Sequence, residues 1–316
     1  MGDYARTMKQ IGIASVFGCS APGSKRCGSF DVVRSRFLGS VWNQGHAEAS
    51  IISQDGGYSY NVPGGSLWWF GDTPEESWDL HRIWPLGGIY VNGKSYIYYS
   101  LIELTGKGTW NFRSVGSGLA CSAQPLSLHK RIQTPEGWRF PVKPSAIVTT
   151  DDWIYLFDVE KRGGQQGVWL SRVRPGEIEN PNDYQFYCGP GPTFSRDKNK
   201  QILLLEKIYG QVSIIWNEHL KKYVLASSSD FSRPREIRFH TANEPFGPWS
   251  KAVASITVPE YRQGKKVELV YCSYFHPELF RENGRIMNLT FSLHLEDAGF
   301  DANNEMVEVE VKSCRK

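Results

Sequence analysis

One supersecondary pattern recurs along this 316-residue chain and limits the folds open to it: an alternating strand, a short polar turn, then a strongly apolar strand. Five copies are readable, over residues 58–70, 88–99, 146–157, 212–225 and 276–291. The pairs Asn92-Gly93, Asp151-Asp152 and Asn283-Gly284 suit two-residue hairpins, in which both turn residues need positive φ. Hairpin turns are therefore expected near 63–65, 92–93, 151–152, 217–221 and 283–284. From the second copy on, equivalent turns lie about 60 to 67 residues apart, room for four short strands and their loops. That spacing describes a propeller blade, and five hairpins predict an all-β, five-bladed β-propeller. The first two copies are only about 28 residues apart, so the first blade must be short or completed from elsewhere. Strand-like residues 30–42 or 306–312 could close the ring and cover exposed sheet edges. The rival architecture is a two-sheet sandwich with an extra domain. No Pro/Gly/Ser-rich linker divides the chain, so residues 1–44 are read as an N-terminal extension with a possible ring-closing strand, and 45–316 as the propeller domain.

Composition agrees with strands joined by tight turns, since aromatics reach 13% and the chain carries 31 Gly and 17 Pro. Lys and Arg number 36 against 33 Asp and Glu, and no basic run exceeds a dipeptide, so a nucleic-acid or anionic-membrane surface has no support. No stretch approaches 18 apolar residues, which argues against membrane insertion. The first six residues lack a signal h-region and the Ser/Thr of a myristoylation site. The six cysteines, at 19, 27, 121, 188, 272 and 314, have no metal-ligand spacing, so no zinc or other cofactor is expected and mostly unpaired thiols are favoured. Asn288-Leu289-Thr290 has the form of a glycosylation sequon but falls in a strand-like run.

The first strands of propeller blades surround the central axis, so their polar groups are where chemistry is sought. In the first copy, a turn between Pro63 and Gly64 would set Asp55 directly opposite Asp72, with Cβ atoms about 4.5–5.5 Å apart. A turn at Gly64-Gly65 would offset the pair by two residues. Two carboxylates at such range divide into acid and base, because one ionised group raises the pKa of the other, and glycoside hydrolysis uses such a pair. Direct opposition, with carboxyls ~5–5.5 Å apart, predicts retention of configuration. Two structural readings stand beside this one: Asp55 also fits an Asp-box that braces a hairpin, and Asp72 before Thr73-Pro74 could cap a turn.

Other candidates surround the same axis. His276 and Glu278 are expected to open the inner strand of the last blade, to bind sugar hydroxyls or tune the carboxylates, a structural role for the histidine being equally open. Lys143 opens the third blade and Gln211 the fourth, each suited to hydroxyl or oxyanion contact. His81, Arg82 and Trp84 are expected in a loop overhanging the mouth, where Trp84 could stack on a sugar face. Arg82, Trp84, His276 and Glu278 are thus predicted to share one polar cleft around the two aspartates.

The stretch Asp55-Gly-Gly-Tyr-Ser-Tyr-Asn-Val-Pro-Gly-Gly-Ser-Leu-Trp-Trp-Phe-Gly-Asp-Thr73 resembles the signature of the DUF4185 family, which includes endo-D-arabinanases of glycoside hydrolase family 183. Residues 216–223 and 241–250 are similar to later stretches of it, so the resemblance spans about residues 45 to 312. It implies a five-bladed propeller with catalytic Asp55 and Asp72, Asp55 as nucleophile and Asp72 as acid/base or the reverse. It also implies a polysaccharide substrate with furanosidic linkages, D-arabinan foremost, and a secreted, envelope-directed or phage-delivered monomer. The competing expectation is a propeller that binds glycan or protein without cleaving it, which the same fold supports. A sialidase-like enzyme would need an arginine triad and repeated Asp-boxes, and neither is visible.

Overall fold

The computed structural model of the protein describes residues 30–40, 55–71, 81–106, 111–124, 127–135, 137–228, 232–262, 264–296 and 303–314. Strand β1 (Phe30–Ser40) comes first, followed by a two-stranded hairpin of β2 (Asp55–Val62) and β3 (Gly65–Gly71). The next sheet holds β4 (His81–Val91), β5 (Lys94–Leu104), β6 (Phe112–Ser122) and β7 (Lys130–Arg131). A six-stranded sheet follows, with β8 (Ala146–Thr149), β9 (Ile154–Arg162), β10 (Gln165–Val173), β11 (Gln185–Gly189), β12 (Thr193–Ser195) and β13 (Leu203–Glu206). Then come β14 (Val212–Asn217), β15 (Lys222–Ser228), β16 (Glu236–Ala242) and β17 (Ala254–Thr257). The last sheet is β18 (Tyr261–Arg262), β19 (Lys265–Phe275), β20 (Ile286–Leu295) and β21 (Asn303–Ser313), completed by β1 on the outside of β21. Pairing is antiparallel throughout these sheets.

The arrangement is all-β and propeller-like, but among the described residues it has four blades, not five. The fifth inner position is filled by the β2–β3 hairpin, which carries no outer strands among the described residues. Repeated hairpins count inner strand pairs, whereas a blade also needs outer strands, and the short first spacing leaves no length for them. The five innermost strands still close a ring, β2 against β4, β4 against β8, β8 against β14, β14 against β19 and β19 against β2. Each junction is pinned by a hydrogen bond. Trp69 Nε1–H donates to Leu86 O at 3.0 Å, Gly87 N–H to Pro144 O at 2.8 Å and Val212 N–H to Ser145 Oγ at 3.2 Å. Phe275 N–H donates to Ser213 Oγ at 3.0 Å, and Ser59 Oγ meets His276 Nδ1 at 2.7 Å.

Four expected turns fall where the turn residues stand. β2 and β3 flank Pro63-Gly64, Asn92 and Gly93 close β4–β5 with φ of 52° and 76°, bends at 151–152 separate β8 from β9, and residues 218–221 join β14 to β15. The fifth also stands at Asn283-Gly284, with φ of 58° and 89° and Arg281 paired antiparallel to Ile286 across it, but it does not join the ends of two long strands directly. β19 ends at Phe275, two 3-10 turns (Pro277–Leu279 and Glu282–Gly284) intervene, and β20 begins at Ile286. Pro277 lacks an N–H for a ladder and starts a turn instead.

Apolar faces pack between adjacent sheets. One cluster joins Val224, Ile237 and Phe239 to Met287, Leu289, Phe291 and Val309, and a second joins Tyr98 and Leu119 to Ile154 and Leu156. Burying each such aliphatic or Phe side chain contributes about 1.5–3 kcal/mol. Both segments nominated as ring closers lie in one sheet, where β1 pairs with β21 from Phe30↔Ser313 to Ser40↔Glu305. None of Cys121, Cys188, Cys272 and Cys314 forms a disulfide, and Cys19 and Cys27 lie outside the described residues. Among the described residues no helix is long and apolar enough to cross a membrane, and no cluster of metal-ligating side chains is present.

Candidate active site

The β2–β3 hairpin keeps its expected register near the turn, with Val62 opposite Gly65 and Ser59 opposite Trp68. The register then slips between Gly56 and Tyr58, so that Asp55 faces Gly71 rather than Asp72. Gly57 has a φ of 127°, a conformation glycine reaches without the steric cost of a side chain, and the extra residue makes a bulge. The direct opposition of Asp55 and Asp72 is therefore not found. Asp72 and the side chain of Asp55 lie outside the described residues.

Inside the ring is an axial cavity of about 200 Å³. Its polar lining includes Ser59, Tyr60 and Asn61 from β2, Ser145 before β8, Ser213 of β14 and Glu278. Both Glu278 carboxylate oxygens are buried without a hydrogen bond, although 11% of the side chain is exposed, and Oε1 lies 3.5 Å from His276 Nδ1. A carboxylate in that state is a ready acceptor for a ligand hydroxyl.

His276 and Glu278 do not open an inner strand as expected; they follow the end of β19. The imidazole is wholly buried, and Trp68 stacks on it with centroids 4.1 Å apart and planes 7° from parallel. Nδ1 meets Ser59 Oγ at 2.7 Å and Nε2 meets Thr290 Oγ1 at 2.7 Å, while Thr290 donates onward to Gly57 O at 3.3 Å. Full burial holds the imidazole below its ordinary pKa, so it is neutral at pH 7. With both nitrogens engaged, His276 has nothing to offer a sugar.

Gln211 lies just before β14 and does not line the cavity; its Oε1 accepts from Tyr58 Oη, with Cys272 Sγ 3.6 Å away. Lys143 is drawn into an internal charge network. Its Nζ lies 2.7 Å from Glu160 Oε2 and its N–H donates to Asp158 Oδ1 at 3.2 Å. Arg162 pairs with both acids of that network. Burial pushes the Asp158 carboxyl up to about 7, against the pull of Arg162.

His81, Arg82 and Trp84 lie in β4, not in an overhanging loop, and the side chain of His81 lies outside the described residues. Arg82 pairs across to Ile102, and Trp84 packs edge-on against Phe112 with centroids 4.8 Å apart. Neither lines the cavity, because Gly87 and Gly88 are the β4 residues that reach it. The predicted single cleft therefore reduces to Glu278 beside β2, with His276 sealed behind it.

Sequence reasoning missed Ser59, Trp68, Thr290 and Asp158. The expected hairpin register already set Trp68 opposite Ser59, so that pair was within reach; Asp158 and Thr290 meet Lys143 and His276 across loops, at separations of 15 and 14 residues that no turn motif in the sequence marks.

The fold is shared with a candidate hydrolase from Bacteroides ovatus, at a TM-score of 0.53 and 15% identity over 72% of this chain and 61% of that one. This chain thus spans about three-fifths of that protein's length. An α-L-arabinofuranosidase from Clostridium thermocellum is more distant, with a TM-score of 0.43 and 13% identity over 72% and 68% of the two chains. No curated protein matches the chain. A family model described as a domain of unknown function, DUF4185, matches residues 79–296, leaving the Asp55 motif outside the matched segment. That match covers well over half of the sequence, and the chain belongs to the DUF4185 family.

Proposed function

We propose that the protein is a glycoside hydrolase that cleaves furanosidic linkages of a polysaccharide, endo-D-arabinanase-like, with Asp55 and Asp72 as its reacting carboxylates. The observation that carries this reading is that Asp55 opens β2, an innermost strand of the propeller-like ring, within the motif that resembles family 183 endo-D-arabinanases. In this reading one aspartate protonates the leaving oxygen while the other attacks the anomeric carbon or activates water. Glu278, with two unused oxygens on the cavity, accepts hydrogen bonds from sugar hydroxyls. The bulge at Gly57 removes the simple argument for retention, so stereochemistry is decided by the carboxyl separation, ~5–5.5 Å for retention or ~6.5–9.5 Å for inversion.

The test is release of reducing ends from plant and mycobacterial arabinans by the purified protein. Asp55→Asn and Asp72→Asn should each lower the rate by about 10²–10⁴. NMR of the first-formed anomer reads the stereochemistry. Arabinan binding without any release in the wild type would replace this reading with a non-catalytic glycan-binding propeller.

A further inference from the structure

We propose that His276 is a positioning residue, which latches the two-stranded hairpin beginning at Asp55 onto the last sheet and so fixes where Asp55 stands at the axis. The inference rests on the reading of Asp55 as a reacting carboxylate.

The hairpin has less to hold it than any other inner element. Among the described residues β2 pairs only with β3, so no third strand anchors it through a backbone ladder, whereas β4, β8, β14 and β19 each belong to a sheet of four or more strands. A two-stranded ribbon is marginal without other packing. The contacts make the latch. His276 Nδ1 lies 2.7 Å from Ser59 Oγ, with Glu278 Oε1 3.5 Å from the same nitrogen, and Nε2 lies 2.7 Å from Thr290 Oγ1, which reaches Gly57 O at 3.3 Å. Trp68 of β3 covers the ring face. One imidazole therefore grips β2 through Ser59, β3 through Trp68 and β20 through Thr290. The chain ends on the carbonyl of Gly57, the bulged residue that sets how Asp55 leaves the ladder. Moving that carbonyl moves Asp55, two residues away. In an active site, a displacement of about 1 Å can cost ~10² in rate.

Amide hydrogen exchange and arabinan kinetics on the whole chain test this together. In His276→Ala, exchange across residues 58–70 should quicken by about tenfold or more, the effect of losing a buried hydrogen-bonded link, while β14–β16 keep their protection. The kcat should fall by about tenfold or more with KM within about threefold, since Asp55 is misplaced while substrate contacts remain. His276→Gln, which keeps a hydrogen-bonding group for Thr290, should recover part of both. Thr290→Val retains the imidazole, cuts only the link to Gly57, and should quicken hairpin exchange to a lesser degree; it stands in if His276→Ala does not fold. Unchanged hairpin exchange, quickened exchange with unchanged kcat, or uniform loss of protection in both variants would overturn the proposal. If the wild type hydrolyses no arabinan, the glycosidase reading falls, and hairpin exchange alone decides whether the latch exists.

Discussion

Asp158 is a charged-type side chain placed where no water reaches it, on β9 between Lys143 N–H and Arg162. Burial raises its carboxyl to about 7, well above the value of an unfolded chain. A carboxyl shifted this way binds more protons in the native state, so its share of stability is present at low pH and is lost as pH rises from ~4 through ~7. Asp158→Asn carries no ionisable proton and escapes that loss. Its melting temperature relative to wild type should climb between about pH 5 and pH 8, measured by thermal scans at both. A flat or falling difference would show that Arg162 compensates the ionised carboxylate fully. At this scale the sequence was legible only for residues in local register: Ser59 and Trp68 follow from the hairpin, while Asp158 and Thr290 take their meaning from partners such as Lys143 and His276, 15 and 14 residues away across loops.

The elements depend on glycine in two distinct ways. A Cβ on Gly88 would sit 2.7 Å from the Trp69 ring and closer still to Tyr60, two rings packed edge-to-face with centroids 4.8 Å apart. Nothing flexible is there to move, since Trp69 is tied to Leu86 O and Tyr60 Oη to Ser95 Oγ. Gly93, by contrast, has open space but a φ of 76°. Gly88→Ala should therefore cost about 1–3 kcal/mol or more by overpacking, and Gly93→Ala about 1 kcal/mol by conformation alone. Urea midpoints at unchanged m measure both; equal losses would mean that the β2–β4 contact is looser than described. Turns of this kind were readable because their residue types report φ directly, as Asn92-Gly93 does. Two features were not. The bulge at Gly57 leaves no mark in an alternating pattern, and the number of strands per sheet is set by pairing across long loops. Pro277 is a legible strand-breaker, and the inner strand accordingly lies before His276 rather than after it.

For the whole molecule, the decisive feature is that the first described strand completes the last sheet. β1 contributes Phe30, which packs on Phe239 at 5.8 Å, and Phe37, edge-on to Phe291 at 6.0 Å. Removing residues 1–40 should cost several kcal/mol, taking about 1.5–3 kcal/mol for each of these side chains, and would bare the edge of β21. The shortened protein should melt at lower temperature and associate through that edge, seen as a rise in light-scattering mass with concentration; an unchanged melting temperature and mass would show that β1 is dispensable. The same pairing has a consequence for synthesis. β1 meets its partner, β21, only when more than 260 further residues have been added, from Ser40 to Asn303. At roughly 5–20 residues per second the ribosome needs on the order of tens of seconds for that interval. Throughout it the apolar face of the strand from Phe30 to Ser40 has no sheet to lie on, which makes this segment a natural client for any chaperone that waits at the exit tunnel.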